Sequence, residues 1–156
     1  MIVRQAGQAD FEALGEVMFA AVRGGSSAYS EDQREAWMPE PRKGADWSAR
    51  LSPQFILLGE ECAVVQGFMT LTGEGYLDCA FIRPEARGSG LFRMLFEGIE
   101  RHARALELGR IWAHVSLTAQ PAATALGMRA VEEEEVELRG QLFRRTVMEK
   151  MLEPAG

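Results

Sequence analysis

Apolar residues at Phe11, Leu14, Val17, Met18, Ala21 and Val22 recur at helical spacing and predict an amphipathic helix that ends at Gly24-Gly25. Before it, Met1 to Ala6 alternates modestly and reads as a short strand. Ser30 has the chemistry of an N-cap, so a second short helix is expected from about Ser30 to Trp37. Pro39, Pro41, Lys43 and Gly44 mark a loop, followed by a helical turn from Trp47 to Leu51. After Pro53 the texture changes to strands. Phe55 to Leu58 and Ala63 to Thr72 read as a hairpin with Glu60-Glu61 at its turn, and Tyr76 to Ile82 as a third strand behind Gly73 and Gly75. Leu91, Leu95, Ile99, Ala103 and Leu106 share one helical stripe, closed by Gly109. Ile111 to Leu117 is another strand, and Ala119 to Leu126 a short helix with Pro121 in its first turn. Two final strands, Arg129 to Leu138 and Leu142 to Met151, turn at Arg139-Gly140.

This order of elements predicts a mixed α/β fold over residues 1–156 as one domain, without internal repeats. With 156 residues, the chain can bury a core without disulfides or metals. A content of 47% apolar and 26% charged residues is that of a globular protein. The net charge of −6 argues against a general nucleic-acid binder, which would need a basic excess against phosphates. No apolar run is long enough to span a bilayer, and Met1-Ile2-Val3-Arg4 lacks a signal-peptide pattern, so a cytoplasmic protein with no membrane partner is expected. Cys62 and Cys79 form no CxxC, and with only His102 and His114 beside them no zinc-ligand spacing exists. Both thiols read as buried apolar fillers in a reducing compartment, and no metal is expected. The acidic run Glu132 to Glu135 reads as a solvated strand face or edge, where like charges discourage edge pairing.

The segment that carries chemistry is Phe81-Ile82-Arg83-Pro84-Glu85-Ala86-Arg87-Gly88-Ser89-Gly90-Leu91-Phe92. A strand ends, glycines turn the chain, and a helix begins. Backbone N–H groups at such a turn point outward, and the helix dipole adds partial positive charge. Gly88 and Gly90 remove side chains that would hold a phosphate away from the backbone. Arg83, Arg87 and Arg93 add local basic charge that the overall balance hides. Together they describe an anion site suited to a pyrophosphate, although a glycine turn needed only for geometry would look similar. There is no GxxxxGK[ST], and no GxGxxG after the first strand with an acidic partner downstream, which disfavours P-loop and Rossmann nucleotide folds.

Arg87-x-x-Gly90-x-Phe92 resembles the pyrophosphate motif of the GNAT N-acetyltransferases, Q/R-x-x-G-x-G/A. The resemblance covers nearly the whole chain. It takes in Arg4, Tyr29-Ser30-x-x-Gln33-x-x-x-Trp37, Gly75-Tyr76-Leu77-Asp78, Ala119-x-Pro121, Leu126-Gly127-Met128, Arg139-Gly140 and Met148-Glu149-Lys150. Within the superfamily these features most resemble the subgroup labelled YafP-like. The resemblance implies a GNAT-like fold, with a central mixed sheet of about six to seven strands and helices on both faces. It implies acetyl-CoA as co-substrate, with Phe81, Ile82, Arg87, Gly88, Ser89, Gly90, Leu91 and Phe92 as its binding segment. Two departures stand out. The sixth motif position, usually small, is Phe92. The short helix that in many relatives carries a thiolate-protonating tyrosine reads Pro121-Ala122-Ala123-Thr124 here.

The activity implied is transfer of an acetyl group to an amine of a small molecule or peptide by direct attack, with no enzyme nucleophile. A homodimer is an expectation, because the family often dimerises. Backbone N–H groups of Phe81 or Ile82 would stabilise the oxyanion, which needs no particular side chain. Asp78 and His114 are the candidate bases. Imidazole changes charge near neutral pH, yet His114 reads equally as a hydrogen-bonded strand residue and Asp78 as a structural carboxylate. Tyr76, Ser116 and Tyr29 are the candidates for the missing acid, with solvent as another source of the proton. Tyr29, Trp37 and Trp47 offer aromatic faces to a cationic amine, or simply pack the core or a lid. The departures at Phe92 and Ala123 also motivate a second reading, a non-catalytic acyl-CoA sensor or scaffold.

Overall fold

The computed structural model describes residues 1–153 of the chain. Seven strands, β1 (Ile2–Gln5), β2 (Phe55–Glu61), β3 (Val64–Leu71), β4 (Leu77–Ile82), β5 (Arg110–Ser116), β6 (Arg129–Leu138) and β7 (Gln141–Met151), alternate with five α-helices. These are α1 (Phe11–Arg23), α2 (Glu31–Trp37), α3 (Gly44–Leu51), α4 (Leu91–Ala105) and α5 (Gln120–Ala125). The elements match the hydrophobic pattern closely. Ser30 caps α2 as its sequence suggests: its hydroxyl accepts from the Gln33 N–H at 3.1 Å, and the Gln33 side chain returns a bond to the Ser30 N–H at 2.8 Å.

The strand count meets the expectation, but the strands divide into two sheets. One is antiparallel in the order β1-β2-β3-β4, and the other is antiparallel in the order β5-β7-β6. They meet at a single parallel bridge, Tyr76 to Trp112, where the Trp112 N–H donates to the Gly75 carbonyl at 3.0 Å. Gly75 has φ +94°, and a Cβ there would stand 2.5 Å from the Arg110 carbonyl oxygen. Only glycine lets the two backbones come this close.

Helices cover both faces. On one side α1 and α3 bury Leu14, Val17, Met18, Trp47 and Leu51 against Leu58 and Phe68. The Trp47 indole N–H donates to the Phe11 carbonyl at 2.7 Å, satisfying the polar end of a buried ring. On the other side α4 packs Leu91, Leu95, Phe96, Ile99 and Ala103 against Met69, Ile111 and Met148. The helical stripe stops one residue short of the expectation. Leu106 lies past the helix end and is exposed.

Three local readings are corrected. The β2–β3 turn is Cys62-Ala63, with φ +52° and +64°, while Glu60 and Glu61 still pair with Val65 and Val64. Two-residue hairpins favour such left-handed turns because they follow the twist of the strands. Cys62 is therefore exposed, and only Cys79 is a buried filler, its thiol pushed up to about 12 by burial. The acidic run does lie on an edge strand, β6, but Glu134 is not merely solvated: it pairs with Arg145 of β7 and faces His114 of β5.

Candidate active site

β4 and β5 run parallel from the Tyr76–Trp112 bridge and part toward their C-terminal ends. The wedge between them holds a cavity of about 420 Å³. Ala80, Phe81 and Ile82 of β4 form one wall, Ser116, Thr118 and Ala119 the other, and the glycine turn with the start of α4 lies along it. A second cavity of about 130 Å³ lies among Tyr29, Trp37, His114, Phe143 and Arg145. Trp37 and Ser116 line both, so these two side chains stand at the junction.

A bulge controls which β4 groups face the wedge. Thr70 pairs with Cys79 and Leu71 with Leu77, which leaves Asp78 as an extra residue. Beyond it, the Arg83 N–H donates to the Gln66 carbonyl at 2.8 Å, in register with the Phe81–Phe68 pair. Antiparallel ladders alternate, so Cys79, Phe81 and Arg83 point their N–H groups at β3, whereas Ala80 and Ile82 point theirs at the open edge. The expectation for Phe81 is corrected: its N–H belongs to the ladder. The N–H groups of Ile82 and Ala80 are the ones left free at the edge. Sequence cannot give this parity, because the bulge at Asp78 sets it.

The turn has the geometry expected of an anion cradle. Gly88 and Gly90 have φ +79° and +88°, and a Cβ on either would meet no atom within 4 Å. Both glycines line the larger cavity, so the open space is the cavity itself. The N–H groups of Gly88, Gly90, Phe92 and Arg93 have no partner among the described residues, as befits a loop running into the first turn of α4. Leu91 and Phe92 also line the cavity, Leu91 anchored in the core and Phe92 packed partly against it. Ser89 behaves otherwise. Its hydroxyl and N–H both turn back to the Ala86 carbonyl, at 2.6 and 3.3 Å, and it closes the turn without lining the cavity.

The three arginines divide. Arg83 donates to the Val65 carbonyl at 2.8 Å, away from the wedge. Arg87 lines the cavity but donates to the carbonyls of Ala21 and Ser26, each at 2.9 Å, near the exposed end of α1. It thereby holds the α1–α2 loop beside the turn. Arg93 is the least committed of the three, with one 3.5 Å bond to the Ala125 carbonyl, and it also lines the cavity.

That α1–α2 loop straps the wedge. Thr118 binds the Ser27 hydroxyl at 3.1 Å and the Ala28 N–H at 3.0 Å. The Tyr29 hydroxyl accepts from the Leu117 N–H at 3.0 Å and donates to the Arg144 carbonyl. Burial raises its pKa, and its proton is already given to a carbonyl, so Tyr29 is a strut and not an acid.

Of the sequence-predicted catalytic candidates, Ser116 and His114 line the smaller cavity. The Ser116 hydroxyl accepts from the Ala119 N–H at 3.2 Å, which leaves its own proton to donate. His114 has Nδ1 2.8 Å from the Tyr76 hydroxyl and Nε2 3.5 Å from Glu134. Tyr76 lines neither cavity; its ring packs at a tilt against Trp112 at the seam, and its hydroxyl holds the His114 ring. Burial raises the Tyr76 pKa, helped by the nearby Asp78 charge. For Asp78 the structure favours the structural carboxylate over the base. It faces α3, bound by Arg50 at 2.9 Å and Gln54 at 2.8 Å, outside both cavities. Burial works to raise its pKa, but the bonds from Arg50 and Gln54 prevail and hold it below the usual carboxylate range. A carboxylate so stabilised is a poor base. Ala123, at the position of the missing tyrosine, is buried in the core.

Among the described residues no helix is long and apolar enough to cross a membrane, and no group of three or more His, Cys, Asp or Glu is placed to hold a metal ion. No curated protein matches the chain. Solved structures do. A GCN5-related N-acetyltransferase from Rhodopseudomonas palustris superposes with a TM-score of 0.87 at 25% identity, covering 97% of this chain and 95% of that one. A GNAT superfamily phosphinothricin acetyltransferase from Sinorhizobium meliloti, solved in complex with acetyl-CoA, gives 0.74 at 19% identity, covering 97% and 88%. An N-acetyltransferase from Staphylococcus aureus gives 0.70 at 16% identity, covering 97% and 98%. Residues 26–152 match the family model described as an acetyltransferase (GNAT) domain, which is most of the chain, and the protein belongs to that family.

Proposed function

We propose that this protein is an acetyl-CoA-dependent N-acetyltransferase that acts on the amine of a small molecule or peptide by direct attack, both substrates being bound together. The observation that carries the reading is the junction of the two cavities, where a wedge with an anion cradle meets a smaller cavity holding a histidine. The cradle fits the ligand: unpartnered N–H groups beside two positive-φ glycines, with Arg93 at hand, suit a pyrophosphate. Bound there, acetyl-CoA supplies an activated acetyl thioester.

The chain's own residues divide the remaining work. Gly88, Gly90, Phe92 and Arg93 donate N–H groups to the phosphates. Ala80 and Ile82 donate theirs to the carbonyl oxygen of the acyl group, and fixed donors of this kind need no reorganisation as negative charge grows. His114 accepts the amine proton at Nε2. In that tautomer Nδ1–H donates to the Tyr76 oxygen, and Glu134, at 3.5 Å, stabilises the imidazolium that results. Tyr76 is a positioning residue. Ser116 holds a donatable proton at the junction and delivers it to the departing sulfur, replacing the tyrosine absent at Ala123. Holding both substrates across one junction contributes several kcal/mol on its own, roughly 7 or more in well-aligned cases. The motifs around Tyr29 and Tyr76 support a place near the YafP-like subgroup.

Calorimetric titration with acetyl-CoA tests the reading. Binding at sub-millimolar concentration is expected, weakened by about tenfold or more in Arg93→Glu. A protein that melts normally yet gives no heat with acetyl-CoA would refute it.

A further inference from the structure

The lining of the smaller cavity is sorted along one face of the β5-β7-β6 sheet. Residues paired across a sheet share a face, as does every second residue along a strand. Ser116 pairs with Arg145 and Arg145 with Glu134, which makes a polar row, and His114 lies two residues back along β5. In the other direction the next row on that face is Phe143 with Val136, and the row after it holds Leu138. All of these except Glu134 line the cavity, and Tyr29 and Trp37 complete the lining. The rings of Tyr29, Trp37 and Phe143 meet edge to face, with centroids 5.5 to 6.3 Å apart.

Polar chemistry is thus confined to one end. The Tyr29 hydroxyl already has a donor and an acceptor partner, in the Leu117 N–H and the Arg144 carbonyl. Among the described residues Arg145 is the one cation in the lining, and Glu134 holds it while also facing His114. A carboxylate or phosphate on the acceptor would compete with Glu134 for Arg145 at the polar end. At the other end it would meet no cation, only Phe143, Val136 and Leu138. Burying an unpaired charge is costly, whereas each methylene moved from water onto apolar side chains is favourable. Apolar cavities of about 150 Å³ hold one benzene ring, so one of about 130 Å³ fits roughly five carbon atoms.

We propose that the acceptor is a compact primary amine with an apolar body and no second charge. Its nitrogen lies at His114 and Ser116, and its hydrocarbon part lies between Trp37, Phe143, Val136 and Leu138. This rests on the acetyltransferase reading above and narrows it. The polar row takes the amine, the Glu134 carboxylate there repels an acidic neighbour, and the apolar rows exclude charge from the far end. Val136 and Leu138 are the specificity-determining contacts best placed for a test, because both lie half-buried on the edge strand β6.

The test uses the full chain with acetyl-CoA and four matched acceptors: 3-methylbutylamine, ethanolamine, leucine and leucyl-glycyl-glycinamide. Ethanolamine lacks the apolar body, leucine adds a carboxylate beside the nitrogen, and the tripeptide amide adds a chain. The kcat/KM for 3-methylbutylamine should exceed that for each of the others by about tenfold or more. An advantage over ethanolamine below about threefold, or better use of leucine or the tripeptide amide, overturns the proposal. Val136→Asp and Leu138→Ser should each lower the ratio of 3-methylbutylamine to ethanolamine by about fivefold or more, with thermal melts confirming the fold. The ratio is taken within each variant, so a general loss of activity cancels, and ratios unchanged in both variants overturn the proposal. If no acceptor turns over, calorimetry on the coenzyme A-loaded protein decides: no binding of 3-methylbutylamine at about 10 mM overturns it equally. Failure to bind acetyl-CoA at all would instead refute the acetyltransferase reading.

Discussion

Replacing Gly90 by alanine separates the anion cradle from the fold that carries it. Gly90 sits at φ +88°, where an L side chain costs about 1–2 kcal/mol. No heavy atom lies within 4 Å of the added Cβ, so packing adds nothing to that cost. For a domain of this size the melting temperature should fall by about 2–8 °C. The methyl group would project into the larger cavity, where it pushes a phosphate off the backbone. Loss of one charge-assisted hydrogen bond, about 1.5–3 kcal/mol, weakens acetyl-CoA by roughly 10- to 150-fold. Thermal melts without ligand and calorimetry with it read the two effects apart. A modest loss in melting temperature with unchanged affinity would refute the cradle. Gly75→Ala is the control of opposite kind: its Cβ would meet the Arg110 carbonyl at 2.5 Å, and a backbone atom at the seam cannot step aside. It should cost about 2–5 kcal/mol by strain and overpacking together.

Ser116→Ala should lower kcat by about 10- to 100-fold with little change in the KM for acetyl-CoA, since the proton donor acts after binding; steady-state kinetics checks it. His114→Ala should abolish the acid-side fall of kcat/KM that a protonated base produces, and a pH profile with the same acid limb as the parent would dismiss His114 as base. The Asp78 carboxyl is held low in the folded protein, so its stabilising contribution is present above the unfolded value of about 4 and fades as pH falls through the folded one. Asp78→Asn should therefore flatten the acid end of the stability curve. Arg50→Met, which strands a half-buried carboxylate, should cost about 1–3 kcal/mol in chemical denaturation at neutral pH.

Much of the fold was legible because helix stripes and strand alternation are local. The α4 stripe and the Gly88-Gly90 pair located the strand–turn–helix junction, since a strand, a glycine pair and a helix start in twelve residues leave few alternatives. A cleft between the Tyr76 and Ile111 strands was expected, but not how the wedge is made. It depends on Gly75 letting two sheets touch once and then part, a contact between residues far apart in sequence. The choice between the two readings of Asp78, base or structural carboxylate, was open for a related reason: the bulge that turns it toward Arg50 is set by register with β3, and no composition signals it. The same register chooses Ala80 and Ile82 over Phe81 as free donors. Arg87 fits the motif and lines the cavity, yet carbonyls at the end of α1 occupy its guanidinium, so the less committed charge there is the less conspicuous Arg93. Glu134, hidden in an acidic run, gained its place beside His114 only when β6 paired with β7.

Amine-dependent release of free thiol from acetyl-CoA is the most direct test of the central claim. The account predicts thiol release that needs both substrates, saturates with acetyl-CoA, and yields an acetylated amine in equal amount. Thiol release independent of amine, or none from a folded protein that binds acetyl-CoA, would contradict it and leave the wedge as a binding site without transfer.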